Sequence, residues 1–140
     1  MSENLDLVRS IYAANERGEF FQQAPDWAHP EIEWIIADGP TAGSWTGVAG
    51  MAESFRNMLG AWDDLRLYAE EFRELDDERV LVLHHFVGRG KTSGLDLGKL
   101  HTRGASVCQI RDGRLTKIVN YYDRDRAFAD LGLAPESDAT

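Results

Sequence analysis

The first half of the chain repeats apolar side chains at helical spacing. Leu5, Val8 and Ile11 recur every three or four residues, which predicts a helix from about residue 4 to residue 17. The same spacing returns over residues 48–60 and predicts a second amphipathic helix. Two helices of this kind each need an apolar surface to pack against.

A strand is predicted between the two helices. Aromatic residues alternate with polar ones over residues 19–30, which indicates a short helix or turn that ends at Pro30. Residues 31–38 then have the composition of a strand, and alternation places Trp34 and Asp38 on the same face. Asp38 therefore closes this strand beside a tryptophan, and the glycine-rich segment that follows is predicted to be a loop.

From residue 65 onward apolar and polar positions alternate, which is typical of strands. Four strands are predicted, over residues 65–75, 79–89, 99–111 and 114–122. The turns Asp76-Asp77 and Asp112-Gly113 are short, so the strands form an antiparallel meander. Asp123 is expected to cap a short last helix, and residues 134–140 to form a loose tail.

Helices followed by a long curved sheet make an α+β fold in which the helices cover one concave face. We expect residues 1–140 to form a single domain of this class. The strand over residues 79–89 is largely apolar on both faces. One face carries Val80, Val82, His84 and Phe86, and the other carries Leu81, Leu83, His85 and Val87. Both faces should be covered. We expect the helices to cover one and a second copy of the chain to cover the other, giving a homodimer.

Charge and composition exclude several kinds of partner. The 15 Lys and Arg against 24 Asp and Glu give a net charge of -9, and no basic cluster could bind nucleic acid or an anionic membrane. No apolar run approaches the roughly 20 residues of a membrane span, and the start of the chain carries Glu3 where a signal peptide is positive. A cytoplasmic protein is predicted. The single cysteine, Cys108, excludes an internal disulfide and a cysteine-type zinc site.

Several short segments together carry a family resemblance. They are Ala13 to Gly18, the strand ending at Asp38, Trp45 to Gly50, Ile110 to Leu115, Tyr121 to Asp123, and Leu131 to Leu133. Over residues 4–133 the chain resembles the nuclear transport factor 2-like superfamily. Within it, the chain is similar to the SnoaL-like group, which includes polyketide cyclases and is related to ketosteroid isomerases.

The resemblance implies a cone-shaped α+β barrel whose sheet wraps around a long helix. It also implies an apolar pocket open at one end and dimerisation through the outer face of the sheet. It does not fix a reaction, because the superfamily contains isomerases, cyclases, epoxide hydrolases, dehydratases and non-catalytic members.

Asp38 matches the proton-shuttling aspartate of the ketosteroid isomerases. A carboxylate beside Trp34 would lose hydration and become a better base toward a carbon acid next to a carbonyl. The isomerases also use two oxyanion donors, and neither is found here. Ile11 stands at the position of their tyrosine, with Tyr12 one residue on, and Ser106 stands at the position of their second acid.

Alternation along the strands predicts which side chains line the pocket. The polar candidates are Asp38, His84, Ser106, Asn120 and Tyr122. The candidate walls are Tyr12, Trp27, Trp34, Phe55, Phe86 and Ile118. A histidine titrates near neutrality, so His84 could act as an acid or a base. No cofactor is expected. No metal is expected either, because adjacent strand residues such as His84 and His85 point to opposite faces and cannot chelate one ion.

Two functions remain open from the sequence. In the first, the protein is an isomerase- or cyclase-type enzyme that removes a proton from carbon in a small, largely apolar carbonyl compound. Asp38 is then the base, and His84 and Tyr122 polarise the carbonyl. In the second, the protein is a non-catalytic binding or accessory domain that uses the same pocket, and Asp38 only accepts backbone hydrogen bonds in a turn. The charged run Asp123 to Arg126 is predicted to be a solvated helix start.

Overall fold

The computed structural model describes most of the chain. The described residues are 3–17, 19, 24, 26–38, 42–90 and 102–133, with the backbone only for 58–65, 86–90 and 102. The predicted tail over residues 134–140 lies outside them, as does the side chain of Phe86. No helix in these ranges is both long enough and apolar enough to cross a membrane.

Three helices and six strands have both ends within the described residues, and Ala24, Asp26 and Trp27 are also helical. In chain order they are α1 (Glu3–Glu16), β1 (Ala28–Ile36), β2 (Gly43–Thr46), α2 (Gly47–Ala61), β3 (Trp62–Glu74), β4 (Arg79–Gly90), β5 (Thr102–Arg111), β6 (Arg114–Tyr121) and α3 (Arg124–Leu131). The predicted α+β class, both amphipathic helices and the capped last helix are confirmed.

The six strands form one curved, open sheet in the order β2-β1-β6-β5-β4-β3. Strands β3 to β6 pair antiparallel with their sequence neighbours, which confirms the predicted meander. The turn between β5 and β6 has positive φ at Asp112 (55°) and Gly113 (76°), as two-residue hairpin turns require. Strand β1 pairs with β6 in parallel, which places β1 beside a strand that lies more than 80 positions later in the sequence.

Two predictions around β1 are wrong. The short helix predicted before Pro30 is present at Ala24, Asp26 and Trp27, but Pro30 does not end it, because β1 already begins at Ala28 and includes the proline. The β1–β6 register shifts between Ala28 and Glu33, and this irregular stretch tolerates a residue that has no N–H to donate. The glycine-rich segment after β1 is not all loop, because Gly43–Thr46 forms strand β2, antiparallel to β1.

The inner face of the sheet, meaning the face that packs against α1 and α2, carries the larger hydrophobic core. Val8 and Ile11 of α1 and Met51 of α2 pack in one cluster with strand residues. The strand residues of this cluster include Trp34, Ile36, Val80, Val82, Cys108, Ile110 and Ile118. Cys108 is fully buried there, as a small apolar residue would be.

The outer face of the sheet is covered by α3 over part of its area. Phe128 and Ala127 of α3 pack against Leu81, Leu83 and Val107 in a second buried cluster. Leu81 and Leu83 are therefore buried within a single chain, at 0% and 1% exposure, without the second copy that was expected to cover this face of the strand. The homodimer itself stays a prediction.

Candidate functional site

Three polar side chains form a hydrogen-bonded line across the inner face. His84 on β4 and Ser106 on β5 are completely buried, and His84 Nε2 lies 2.9 Å from Ser106 Oγ. Ser106 Oγ donates to Asn120 Oδ1 on β6 at 2.7 Å. Asn120 Nδ2 in turn donates to the carbonyl oxygen of Ile35 on β1 at 3.2 Å. The line joins four adjacent strands.

Sheet register explains why these residues meet. Ser106 is paired with Val82 on one side and with Asn120 on the other, and Asn120 is paired with Ile36. Directly opposed residues on one face are close enough for their side chains to interact. Alternation along each strand then places all of these side chains toward α1 and α2. The predicted grouping of His84, Ser106 and Asn120 corresponds to real contacts.

Tyr12 adds a hydroxyl to this line from the helix side. Its ring packs edge-on against Phe72 at a centroid distance of 5.9 Å, and its hydroxyl lies near the side chains of Ser106 and Cys108. Burial raises the pKa of Tyr12 well above its ordinary value, and burial also raises the pKa of Cys108 to about 12. Both groups therefore keep their protons through the physiological range.

His84 is a neutral hydrogen-bonding group in this fold. Burial lowers the pKa of His84 to about 3, and the nearby Arg124 guanidinium lowers it further than burial alone would. The expectation that His84 titrates near neutrality is therefore wrong, because burial and the Arg124 guanidinium outweigh the Glu70 carboxylate, which acts in the opposite direction. At neutral pH it can hold a hydrogen bond but has no proton to release as an imidazolium acid.

Aromatic and aliphatic side chains surround the polar line. Trp34 donates from Nε1 to Ser54 Oγ at 3.0 Å and packs edge-on against Phe55 at 5.2 Å. Trp27 and Ile118 are each 3% exposed and belong to the same inner cluster. The contact with Ser54 was not anticipated, since nothing in the α2 sequence distinguishes this serine from its exposed polar neighbours. The predicted walls, apart from the undescribed Phe86 side chain, do come together.

Asp38 lies just beyond β1, and both of its carboxylate oxygens accept backbone hydrogen bonds. Oδ1 accepts from the N–H of Tyr122 at 2.6 Å, and Oδ2 accepts from the N–H of Asp123 at 3.2 Å. The contacts lie at the junction of β6 and α3 and not in the turn that follows β1. The Tyr122 side chain is half-buried and packs against the inner cluster. Asp38 thus fastens the end of β1 to the start of α3.

Arg124 is a buried cation that the sequence analysis missed. It is only 4% exposed, so the prediction that Asp123 to Arg126 is a solvated helix start is wrong for this residue. Arg124 Nε donates to the carbonyl oxygen of Gly104 at 3.1 Å, and Nη2 donates to the carbonyl oxygen of His84 at 2.7 Å. Nη2 also lies 2.7 Å from Glu70 Oε1. This guanidinium ties α3 to three strands from the outer side of the sheet.

The two adjacent histidines lie on opposite faces, as alternation predicts. His85 contacts Glu70 on the outer face, with Nδ1 3.1 Å from Oε2, and its ring stacks on Tyr68 at 5.3 Å. The hydrogen bond from Arg124 lowers the pKa of Glu70, so the carboxylate beside His85 stays charged. Among the described residues, no three His, Cys, Asp or Glu side chains are grouped so as to hold a metal ion.

Solved structures of low sequence identity share this fold. An NTF2-like protein of unknown function from Burkholderia pseudomallei is 22% identical, over 92% of this chain and 97% of the other, with a TM-score of 0.74. A putative polyketide cyclase from Xanthomonas campestris is 21% identical over 91% and 95%, with a TM-score of 0.62. TerC, crystallised with polyporic acid, is 24% identical over 93% and 98%, with a TM-score of 0.72.

The sequence itself matches one family. No curated protein matches the chain significantly. The profile of the SnoaL-like domain, in contrast, matches residues 8–118, from the middle of α1 to the inner face of β6. This range includes Tyr12, His84 and Ser106 of the polar line. The chain belongs to the SnoaL-like domain family.

Proposed function

We propose that the protein binds a small, largely apolar carbonyl compound between its helices and the inner face of the sheet. One observation carries the proposal. The inner face holds a hydrogen-bonded group of His84, Ser106 and Asn120, with the Tyr12 hydroxyl near it, inside a wall that is otherwise aromatic and aliphatic. Apolar surroundings with a few converging polar groups are typical of small-molecule sites.

A polar group in this position needs an explanation beyond stability. Burying hydroxyl, amide and imidazole groups costs free energy that their mutual hydrogen bonds only offset, and apolar residues of the same size would serve a core at least as well. Apolar residues do occupy the neighbouring positions on the same faces, at Val82, Cys108 and Ile118. A ligand oxygen that contacts the polar group accounts for its retention.

The structural neighbours support a small organic ligand. One of them was crystallised with polyporic acid, and others are named as putative polyketide cyclases. Their sequence identities to this chain are low, so their names support the kind of molecule and not its identity.

Those names also favour a second candidate function, in which the domain is an isomerase- or cyclase-type enzyme. Asp38 would abstract a proton from carbon next to the carbonyl, and Tyr122 would polarise the oxygen. The geometry supports this function less well than binding. Each Asp38 oxygen already accepts a backbone N–H, so the base would have to use the remaining lone pairs.

Calorimetric titration with 2-acetylnaphthalene tests the binding function. We expect saturable binding to the wild type and several-fold weaker binding to Tyr12→Phe, which removes only the hydroxyl of the polar group. Tyr68→Phe is the matched control, because Tyr68 lies on the outer face and is 37% exposed. No binding to the wild type, or equal weakening by both substitutions, would contradict the proposal.

Exchange of the acidic protons of the same ketone in heavy water tests the second candidate. An enzyme of the proposed kind exchanges the methyl protons faster than buffer does, and Asp38→Asn loses the acceleration. Equal exchange by the wild type and the variant removes Asp38 as the base. Binding without any acceleration leaves binding as the function of the site.

A further inference from the structure

The contact between Asn120 and the Ile35 carbonyl oxygen determines where the hydrogens lie along the polar line. The carbonyl oxygen of Ile35 can only accept, so the atom of Asn120 that faces it is the amide nitrogen. The amide oxygen therefore faces Ser106, whose one hydroxyl hydrogen is donated to it. Because Ser106 has no second hydrogen, its contact with His84 is a donation from Nε2–H.

The line has one donor left over on the inner face. The Asn120 amide nitrogen carries two hydrogens, and within the described residues Ile35 accepts only one of them. Ser106 donates its one hydrogen to Asn120 and accepts from His84, so it has no hydrogen to offer a ligand. Asn120 is half-buried, so the core does not enclose its side chain completely.

The charge of the site restricts what this donor can meet. The buried cation nearest to the polar line, Arg124, makes its contacts with Glu70 and with backbone carbonyls from the outer side of the sheet. The charged group at the end of the inner face is the carboxylate of Asp38. Arg9 lies over the Phe72 ring but is exposed. Within the described ranges an anionic ligand beside Asn120 would therefore meet no buried opposite charge, and burying an unpaired carboxylate is costly.

We propose that Asn120 determines the specificity of the site by donating its second amide hydrogen to an uncharged carbonyl oxygen of the bound molecule. This inference rests on the binding function proposed above and narrows its ligand to neutral carbonyl compounds. Acids of the same shape are excluded. The contact with Ile35 holds the Asn120 amide in its orientation, since reversing the amide would set its oxygen against the carbonyl oxygen of Ile35, two acceptors with no hydrogen between them.

Three probes of nearly the same shape test the proposal. They are 2-acetylnaphthalene, 2-isopropenylnaphthalene, in which a CH₂ group replaces the carbonyl oxygen, and 2-naphthoic acid. For the wild type at pH 7 we expect the ketone to bind roughly 3- to 10-fold more tightly than the alkene, as one neutral hydrogen bond allows. The carboxylate should bind on the order of 100-fold more weakly than the ketone.

The substitution Asn120→Leu keeps the size of the side chain and removes the donor. We expect the ratio of ketone to alkene affinity to fall to about one, as loss of a single hydrogen bond implies. Asn57→Leu makes the same change on an exposed position of α2 and should keep the wild-type ratio. The ratio of ketone to alkene affinity is measured within each variant, so a general loss of affinity does not change it.

The outcomes separate this proposal from the binding function. If the wild type binds ketone and alkene equally well, or if Asn120→Leu keeps the preference, the role of Asn120 is overturned while the binding function stands. If neither probe binds, both fail. If Asn120→Leu does not fold, NMR spectroscopy of the wild type with each probe provides a second measurement. One of the two Asn120 side-chain amide proton resonances should move downfield with the ketone and not with the alkene, and equal responses would overturn the proposal.

Discussion

The carboxylate of Asp38 accepts a 2.6 Å hydrogen bond from the backbone N–H of Tyr122, across 84 positions of sequence. The second oxygen accepts from the next N–H along the chain, that of Asp123, whose own side chain caps α3 by accepting from the N–H of Asp125. One carboxylate thus positions the last strand and the start of the last helix relative to β1. This contact bears on stability whether or not Asp38 takes part in chemistry.

Asp38→Asn should destabilise the fold. In asparagine an NH₂ group, which can only donate, replaces one of the two carboxylate oxygens. One of the two backbone N–H groups therefore loses its acceptor, at a cost of about 1–3 kcal/mol in the free energy of unfolding. Urea unfolding measures the change. The control is Asp77→Asn, at an exposed position of the turn between β3 and β4, and equal effects of the two changes would show that the Asp38 contacts contribute little.

Arg124→Met should lower the free energy of unfolding more than Arg126→Met does. Methionine replaces the stem of the side chain but leaves the carbonyl oxygens of His84 and Gly104 without their donor, which should cost about 2–4 kcal/mol. Arg126→Met is the matched control. Arg126 is 51% exposed and lies 4.0 Å from Asp130, and such surface pairs contribute at most about 1 kcal/mol. Similar losses of unfolding free energy would contradict the buried role of Arg124.

The neutral state of His84 predicts a pH dependence of stability. The folded state lowers the pKa of His84 from its ordinary 6.5 to about 3, so between these values the unfolded chain binds a proton that the folded chain does not. The free energy of unfolding therefore falls as the pH drops below 6.5, and this one group accounts for about 2 kcal/mol between pH 7 and pH 5. Above pH 7 it contributes nothing to the slope.

Urea unfolding of the wild type and of His84→Gln, at pH 7 and at pH 5, isolates this contribution. The carboxylates are common to both proteins, so the difference between the two losses reports on position 84. We expect the variant to lose about 2 kcal/mol less than the wild type on acidification. Equal losses would mean that His84 is protonated in the folded state.

The helix α3 should contribute to stability through Phe128. This ring is 2% exposed and packs on the outer face of the sheet with Leu81 and Leu83. Phe128→Ala should lower the free energy of unfolding by about 3–5 kcal/mol, as for other buried aromatic truncations. Leu133→Ala, at a position 37% exposed just beyond the helix, should cost much less. Equal small losses would mean that α3 does not cover this face in solution.

Most of the fold was predictable because its elements carry their own periodicity. The helices α1 and α2 and the four-strand meander each follow a local pattern of apolar positions, and the Asp112-Gly113 turn has the residues that positive φ favours. Strand β2 was not predictable in this way. It has four residues that are mostly exposed, and it exists because β1 supplies its hydrogen-bond partners.

The site was predictable in part, for the same reason. Alternation along single strands was enough to group His84, Ser106 and Asn120, since register preserves the faces. The burial of Arg124 was not, because its partners are 20, 40 and 54 positions away in sequence. The carbonyl oxygens that accept from Arg124 lie where strand pairing is interrupted. His84 is beside the register shift of the β3–β4 pair near Glu70, and Gly104 lies just beyond the last β5–β6 pair. Such interruptions leave no local sequence signal.

The central claim is that a small carbonyl compound binds on the inner face of the sheet, against the polar line. Nuclear Overhauser effects between 2-acetylnaphthalene and the protein measure the location directly. We expect effects from the naphthyl protons to the methyl groups of Ile118 and to the ring of Tyr12, which pack in the inner cluster. Effects only to outer-face residues such as Val119 and Leu131, or none at all with saturating probe, would contradict the claim.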